Sequence, residues 1–246
     1  MRRVTGVLMH PRATMAEVVR HPAFITTWVV VLLVLAVCGG LLLSTPVGQQ
    51  ALVDERVRVT EAVGGRVDDA TYAGLQNDPP VSIYLTSGGR LLLTPPVTLV
   101  VALGLTALAR LDRGRSSRDA DSASRGGGGG GGRVTFVTAL AIVVHATVVL
   151  AVQQLVATPL HYAYESLTSP TNVAGLLRLF DEGSWPQRLL GTVDVFGLWW
   201  IWLLSVGVAA ATGQPVRRYI WKLLAVYVGI AAIVAAVFAV LGRSGI

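Results

Sequence analysis

The chain has 246 residues, 53% of them hydrophobic and only 14% charged, with a formal net charge of +6 and a mean hydropathy of +0.62. Soluble domains carry about 25% charged residues, so this composition argues against a water-soluble globular protein. The single cysteine, Cys38, excludes an internal disulfide and a thiolate metal cluster.

Five stretches run 19 or more residues without Asp, Glu, Lys or Arg: His21 to Val53, Leu91 to Ala109, Val134 to Tyr164, Val195 to Val216 and Leu223 to Gly242. A bilayer core needs about 20 apolar residues in a helix, so each can span it. The predicted class is an all-α membrane protein, a five-transmembrane-helix bundle with short interfacial helices. Its spans are placed at 24–43, 91–109, 134–157, 194–212 and 219–241, within a single domain covering 1–246.

In chain order, Pro11 and Pro22 bracket a short helix that could lie at the membrane surface, with Met15, Val18 and Val19 on one face and Arg12 and Arg20 at headgroup level. The first span follows, with Gly39-Gly40 near its outer end. The external segment 44–90 opens with a helical stretch from Gln49 to Val63, which Gly64-Gly65 should stop. A looser return leads through Asn77-Asp78-Pro79-Pro80 to the second span, where Pro95-Pro96 mark a weak point.

The segment 110–133 contains seven consecutive glycines, Gly126 to Gly132, and reads as a flexible loop. It has no lysine and is not a phosphate-binding loop, and its arginines suit anionic lipid better than nucleic acid. The third span carries His145, the one ionisable side chain near the middle of a span, with Gln153 further out. Both are candidate polar sites, as is Asp194 at the head of the fourth span. A buried structural role for His145 is the expectation. The external segment 158–193 holds a helix-spaced stretch, Thr171 to Phe180, and then Trp185, an aromatic anchor for the interface.

The fourth span begins Asp194-Val195-Phe196-Gly197-Leu198-Trp199-Trp200-Ile201-Trp202. Trp199, Trp200 and Trp202 could anchor it or line a lipid groove. Gly207, Ala211 and Gly213 form a small-residue face, as do Gly229, Ala232 and Ala236 on the fifth span. Such faces let helices approach closely, so spans four and five are expected to pack as a hairpin.

Short loops rich in Lys and Arg stay in the cytoplasm. The N-terminal segment, the loop 110–133 and the turn before the fifth span hold 13 basic and 4 acidic residues, whereas the alternate segments hold 7 and 10. The N-terminus is therefore expected inside and the C-terminus outside. The four histidines are scattered, and no His-Glu-x-x-His or Gly-x-Ser-x-Gly occurs, so no enzyme, cofactor or metal is expected.

The Pro11 to Pro22 segment, and Asp194 to Gly213 ending Ala-Ala-Ala-Thr-Gly before Arg217-Arg218, give the chain a resemblance to the bacterial branch of the Yip family. Its eukaryotic members are Rab-interacting five-span membrane proteins. The resemblance implies the fold and topology. Rab recruitment in those members runs through a cytosolic N-terminal domain with an Asp-Leu-Tyr-Gly-Pro-type motif, which this chain lacks, so a Rab-type GTPase is not an expected partner. The expected function is that of a scaffold or assembly factor for other membrane proteins in a bacterial inner membrane, in contact with the lipid bilayer. The alternative is a transporter or lipid-handling protein. The preference for Arg over Lys suits a GC-rich bacterial genome.

Overall fold

The computed structural model describes residues 2–77, 80–122, 134–173, 191 and 193–243. The described elements are helices: α1 Arg2–Met9, α2 Pro11–Arg20, α3 Ile25–Leu43, α4 Pro46–Ala62, α5 Asp69–Gln76, α6 Pro80–Ser122, α7 Phe136–Ala146, α8 Val148–Ala163, α9 Val195–Thr212 and α10 Val216–Arg243. Among the described residues the only β-type pairing is the single bridge between Asn172 and Asp194. This is an all-α membrane protein.

Four helical stretches are long and apolar enough to cross a membrane: Ile25–Leu43, Leu91–Asp112, Phe136–Ala163 and Val195–Thr212. The count is four where the sequence reading expects five. The fifth expected run lies within the 28-residue helix α10, where several side chains fall outside the described residues. The Gly126–Gly132 run and most of 171–180 also lie outside them.

The chain divides into two compact units. The first comprises Met1–Leu32, Leu92–Leu150 and Trp199–Leu224. Its centre is α7, where every side chain from Thr138 to Ala146 is buried. Thr135 caps this helix, its hydroxyl accepting from the Thr138 N–H at 3.2 Å. The residues of α3 and α6 in this unit keep one side open, with Ile25, Val29, Val97 and Val100 exposed. In lipid such exposure of apolar side chains carries no penalty.

The N-terminus differs from the expectation of one surface-lying helix. Two helices, α1 and α2, pack against each other and against α7. Val7, Met15 and Val18 are completely buried, so the apolar face of α2 is turned into protein and not toward the bilayer. Burying each such side chain stabilises by about 1.5–3 kcal/mol relative to leaving it in water. Arg3 clasps the pair together, donating to Glu17 Oε1 at 3.0 and 3.2 Å and to the His21 carbonyl at 2.8 Å.

The second unit comprises Leu33–Leu91, Ala151–Leu198 and Ala225–Ile246. Helix α4 starts on Pro46 behind a Thr45 cap and stops before Gly64, which adopts φ +84°. Only its first half is packed, through Gly48, Ala51, Leu52 and Val53, while Val59 and Val63 are exposed. The expected loose return instead contains α5, which leans on α4: the Gln50 amide donates to the Tyr72 hydroxyl at 2.9 Å. Asp68 caps α5. Thr71, through its hydroxyl and then its backbone N–H, holds that carboxyl below the usual carboxylate range.

Helix α6 runs through Pro95 and Pro96 without a break and continues past Ala109 to Ser122. The two prolines leave the carbonyls of Leu91 and Leu92 without their usual helical donors, yet the flanking turns keep the helix intact. The third span is likewise longer than expected. It reaches Ala163, beyond the boundary at 157, with a single turn at Thr147 between α7 and α8.

Candidate functional site

Among the described residues, three clusters join polar side chains of the spans to partners distant in sequence. The first lies around His145, which is fully buried. Its Nδ1 sits 2.8 Å from the Ala141 carbonyl one turn back, and its Nε2 sits 3.2 Å from the Thr27 hydroxyl of α3. A carbonyl can only accept, so Nδ1 carries the proton, and in the neutral ring Nε2 then accepts from the Thr27 hydroxyl. Both ring nitrogens are thus satisfied by the neutral ring.

The second cluster escaped the sequence reading. Asp112 is buried and receives two cations from the first turns of α10: Arg218 Nε at 2.7 Å and Lys222 Nζ in close contact. The buried Tyr219 hydroxyl donates to the same carboxylate at 3.2 Å. Arg218 also donates to Gln214 Oε1 at 3.1 Å. In the sequence, Asp112 stands between Leu111 and Arg113 at the edge of an arginine-rich loop and reads as solvated. Only the approach of α10, 107 residues away along the chain, makes it a buried anion.

The third cluster, in the second unit, is built on Asp194. One carboxylate oxygen accepts from Ser169 and Thr171 hydroxyls at 2.8 and 2.5 Å. The other accepts from the Phe196 N–H at 2.8 Å, which caps the first turn of α9. Gln153 joins through Thr171, donating to its hydroxyl at 3.3 Å. Gln153 and Asp194 therefore share one network through Thr171, and His145 belongs to another with Thr27. The capping role of Asp194 was legible, since an Asp directly before an apolar helical run is a start signal. Ser169 and Thr171 carried no such signal.

The small residues separate in the same way. A Cβ on Gly207 would collide with Ile142 Cγ2 and come within 3.1 Å of its Cγ1, so this glycine packs on α7. Toward α10, it is Gly197 in the first turn of α9 whose Cβ position lies near a neighbour, 3.5 Å from the Tyr227 hydroxyl. Ala211 is buried, and Gly213 closes α9 in the left-handed region at φ +70°. Gly229 has nothing within 4 Å of its Cβ position, and Ala232 and Ala236 are exposed. Among the described residues of the second unit, the small-residue face of α10 is open.

Trp199, Trp200 and Trp202 are each half-buried. The indole nitrogen of Trp200 is buried and has no acceptor among the described residues, and the same holds for Trp28. Trp185 lies outside the described residues. Ser205 is fully buried and donates to the Ile201 carbonyl of its own helix at 2.8 Å. Among the described residues no group of three or more His, Cys, Asp or Glu could hold a metal ion.

A family model, the Yip1 domain, matches residues 5–240. No curated protein and no solved structure gives a significant match. That match covers nearly all of the described helices, from α1 to α10, and the chain belongs to the Yip1-domain family of membrane proteins.

Proposed function

We propose that the protein is a non-enzymatic scaffold or accessory factor for other membrane proteins, seated in a bacterial inner membrane with its N-terminus in the cytoplasm and its C-terminus outside. The observation that carries this reading is the open face of α10, with Gly229 uncontacted and Ala232 and Ala236 exposed. Small residues on a membrane helix let a partner backbone come close enough for dense packing. The intramembrane polar groups support the same reading: His145, Gln153 and Asp194 are each engaged by a neighbour inside the chain.

Pull-down in mild detergent followed by mass spectrometry tests it. A stoichiometric membrane-protein partner is expected, lost from the Ala232→Leu variant while the variant's own thermal unfolding is unchanged. A protein that purifies alone and moves solute in proteoliposomes would overturn it. The proposed orientation is tested by cysteine labelling, with Ser122 protected inside and Asp69 and Gly183 reached from outside. Labelling of Asp69 from the cytoplasm alone would reverse it.

The second reading is a lipid-handling protein or transporter using a groove beside the tryptophans. The orphaned indole N–H of Trp200 favours it, since a buried donor without an acceptor costs about 1–3 kcal/mol and a bound carbonyl or phosphate ester would relieve that. Trp200→Phe, which removes the donor and keeps the ring, discriminates: loss of co-purifying lipid supports the groove.

A further inference from the structure

The carboxylates described in the first unit are all in use, and four of its arginines have no carboxylate partner among the described residues. The described acidic side chains of this unit are Glu17 and Asp112. Glu17 holds Arg3, and Asp112 holds Arg218 and Lys222. Arg12, Arg20, Arg110 and Arg217 remain exposed, with no ion pair to any described carboxylate. The second unit has the opposite balance: the described Asp54, Glu55, Glu61, Asp68, Asp69, Glu165 and Asp194 outnumber Arg56, Arg58 and Arg66. The surplus cation is a property of one unit, not of the whole surface.

These arginines are also held in place. Arg12 and Arg20 repeat with Ala16 every four residues along α2, on the side opposite the buried Thr14, Met15 and Val18. Packing of that buried face on α1 and α7 keeps both guanidinium groups outward. Arg110 lies two residues before Asp112, and Arg217 directly precedes Arg218. The Asp112 contacts therefore bring these two arginines to the same end of the unit. Beside them stand exposed apolar side chains, Leu111 at 70% and Trp221 at 62% exposure. Guanidinium next to uncovered aliphatic and indole surface matches a molecule with a phosphate head and an acyl tail. A free anion or an acidic peptide would leave the apolar neighbours uncovered.

We propose that the exposed arginines of the first unit bind anionic phospholipid, with headgroup phosphates on Arg12 and Arg20 of α2 and on Arg110 and Arg217 beside the Asp112 cluster, where acyl chains lie against Leu111 and Trp221. Juxtamembrane basic residues gain from anionic headgroups, and the gain is screened by salt. Arginine's planar fork suits phosphate oxygens, and tryptophan is at home at headgroup depth.

The test uses the full-length protein in nanodiscs of phosphatidylcholine doped with spin-labelled phosphatidylglycerol or spin-labelled phosphatidylcholine. Electron paramagnetic resonance then gives the fraction of each label immobilised by the protein. A several-fold preference for phosphatidylglycerol is expected at low salt, shrinking at high salt. It should fall to parity in the combined Arg12→Gln, Arg20→Gln, Arg110→Gln, Arg217→Gln variant. The variant's thermal unfolding in pure phosphatidylcholine reports its fold. Should the fourfold variant unfold early, the Arg12→Gln, Arg20→Gln pair, far from the Asp112 cluster in sequence, gives the same reading through a partial loss. Equal immobilisation of the two labels by the wild type overturns the proposal, and so does a preference that survives the substitutions. Inorganic phosphate at matched ionic strength should leave the preference intact; if it abolishes the preference, the site takes free phosphate and the lipid proposal fails.

Discussion

Gly207 of α9 lies directly against Ile142 of α7, so close that a β-carbon on the glycine would overlap the isoleucine Cγ2 and stand 3.1 Å from its Cγ1. Helix α7 is buried on every face from Thr138 to Ala146, and Ile142 is itself wholly buried, so it has no space into which to retreat. The approach of α9 to α7 at this point thus depends on a hydrogen atom at position 207.

That contact gives the first prediction. Gly207→Leu should lower the thermal unfolding midpoint in detergent more than Leu204→Ala, although Leu204 is also buried. Overpacking without room to relax costs about 1–3 kcal/mol, and here the added volume is a whole side chain against a fixed neighbour. Gly207→Ala combined with Ile142→Ala, which removes both clashing γ-carbons, should cost less than the two single losses added together. Equal midpoints for Gly207→Leu and the wild type would mean that the two helices do not touch at this position.

Asp112 gives the second. Asp112→Asn leaves Arg218 and Lys222 facing each other with no anion between them, and it keeps only a weak acceptor for Tyr219. Removing one partner of a buried ion pair costs about 3–5 kcal/mol. Both cations are one-third exposed, so water screens part of that and about 1–2 kcal/mol is expected. The double variant Asp112→Asn, Lys222→Met should be more stable than Asp112→Asn alone. Detergent unfolding curves of the three proteins decide it, and an Asp112→Asn protein as stable as wild type would show that the carboxylate is not buried.

Asp194 gives the third. Asp194→Ala removes the cap of α9 together with the acceptor for Ser169 and Thr171. Loss of an N-cap alone costs about 0.5–2 kcal/mol. Asp194→Asn retains the oxygen facing the Phe196 N–H and should fall between alanine and wild type. Hydrogen exchange at the first turn of α9 is the measurement. Unchanged protection in Asp194→Ala would remove Asp194 from the capping role.

His145 gives the fourth. Because the neutral ring already satisfies Ala141 and Thr27, His145→Gln should fold with a loss of about 1 kcal/mol for one bond of imperfect geometry. A folded His145→Gln protein that loses a pH-dependent transport activity would favour the transporter reading over the scaffold, since an amide does not titrate near neutral pH.

The sequence alone determined that the chain lives in lipid and is helical, because about 20 uncharged apolar residues in a row have one stable form in a bilayer. It also located ends of individual helices where the signal is local: Gly64 after α4, Asp194 and Gly213 around α9, Pro11 for α2. Each of those boundaries depends on a few neighbouring residues. The tertiary structure decided which faces meet. Composition is uniform around an apolar span, so nothing local could say that Gly207 would meet Ile142 and not a residue of α10. Nothing local could say that the amphipathic face of α2 would turn into α1 and α7. The charged cluster is the clearest case. Asp112 and Lys222 stand 110 residues apart, and the carboxylate reads as a solvated loop-edge charge until two helices bring the pair together and bury it. Burial and pairing are properties of the packed chain, and their energies depend on water being excluded by residues distant in sequence.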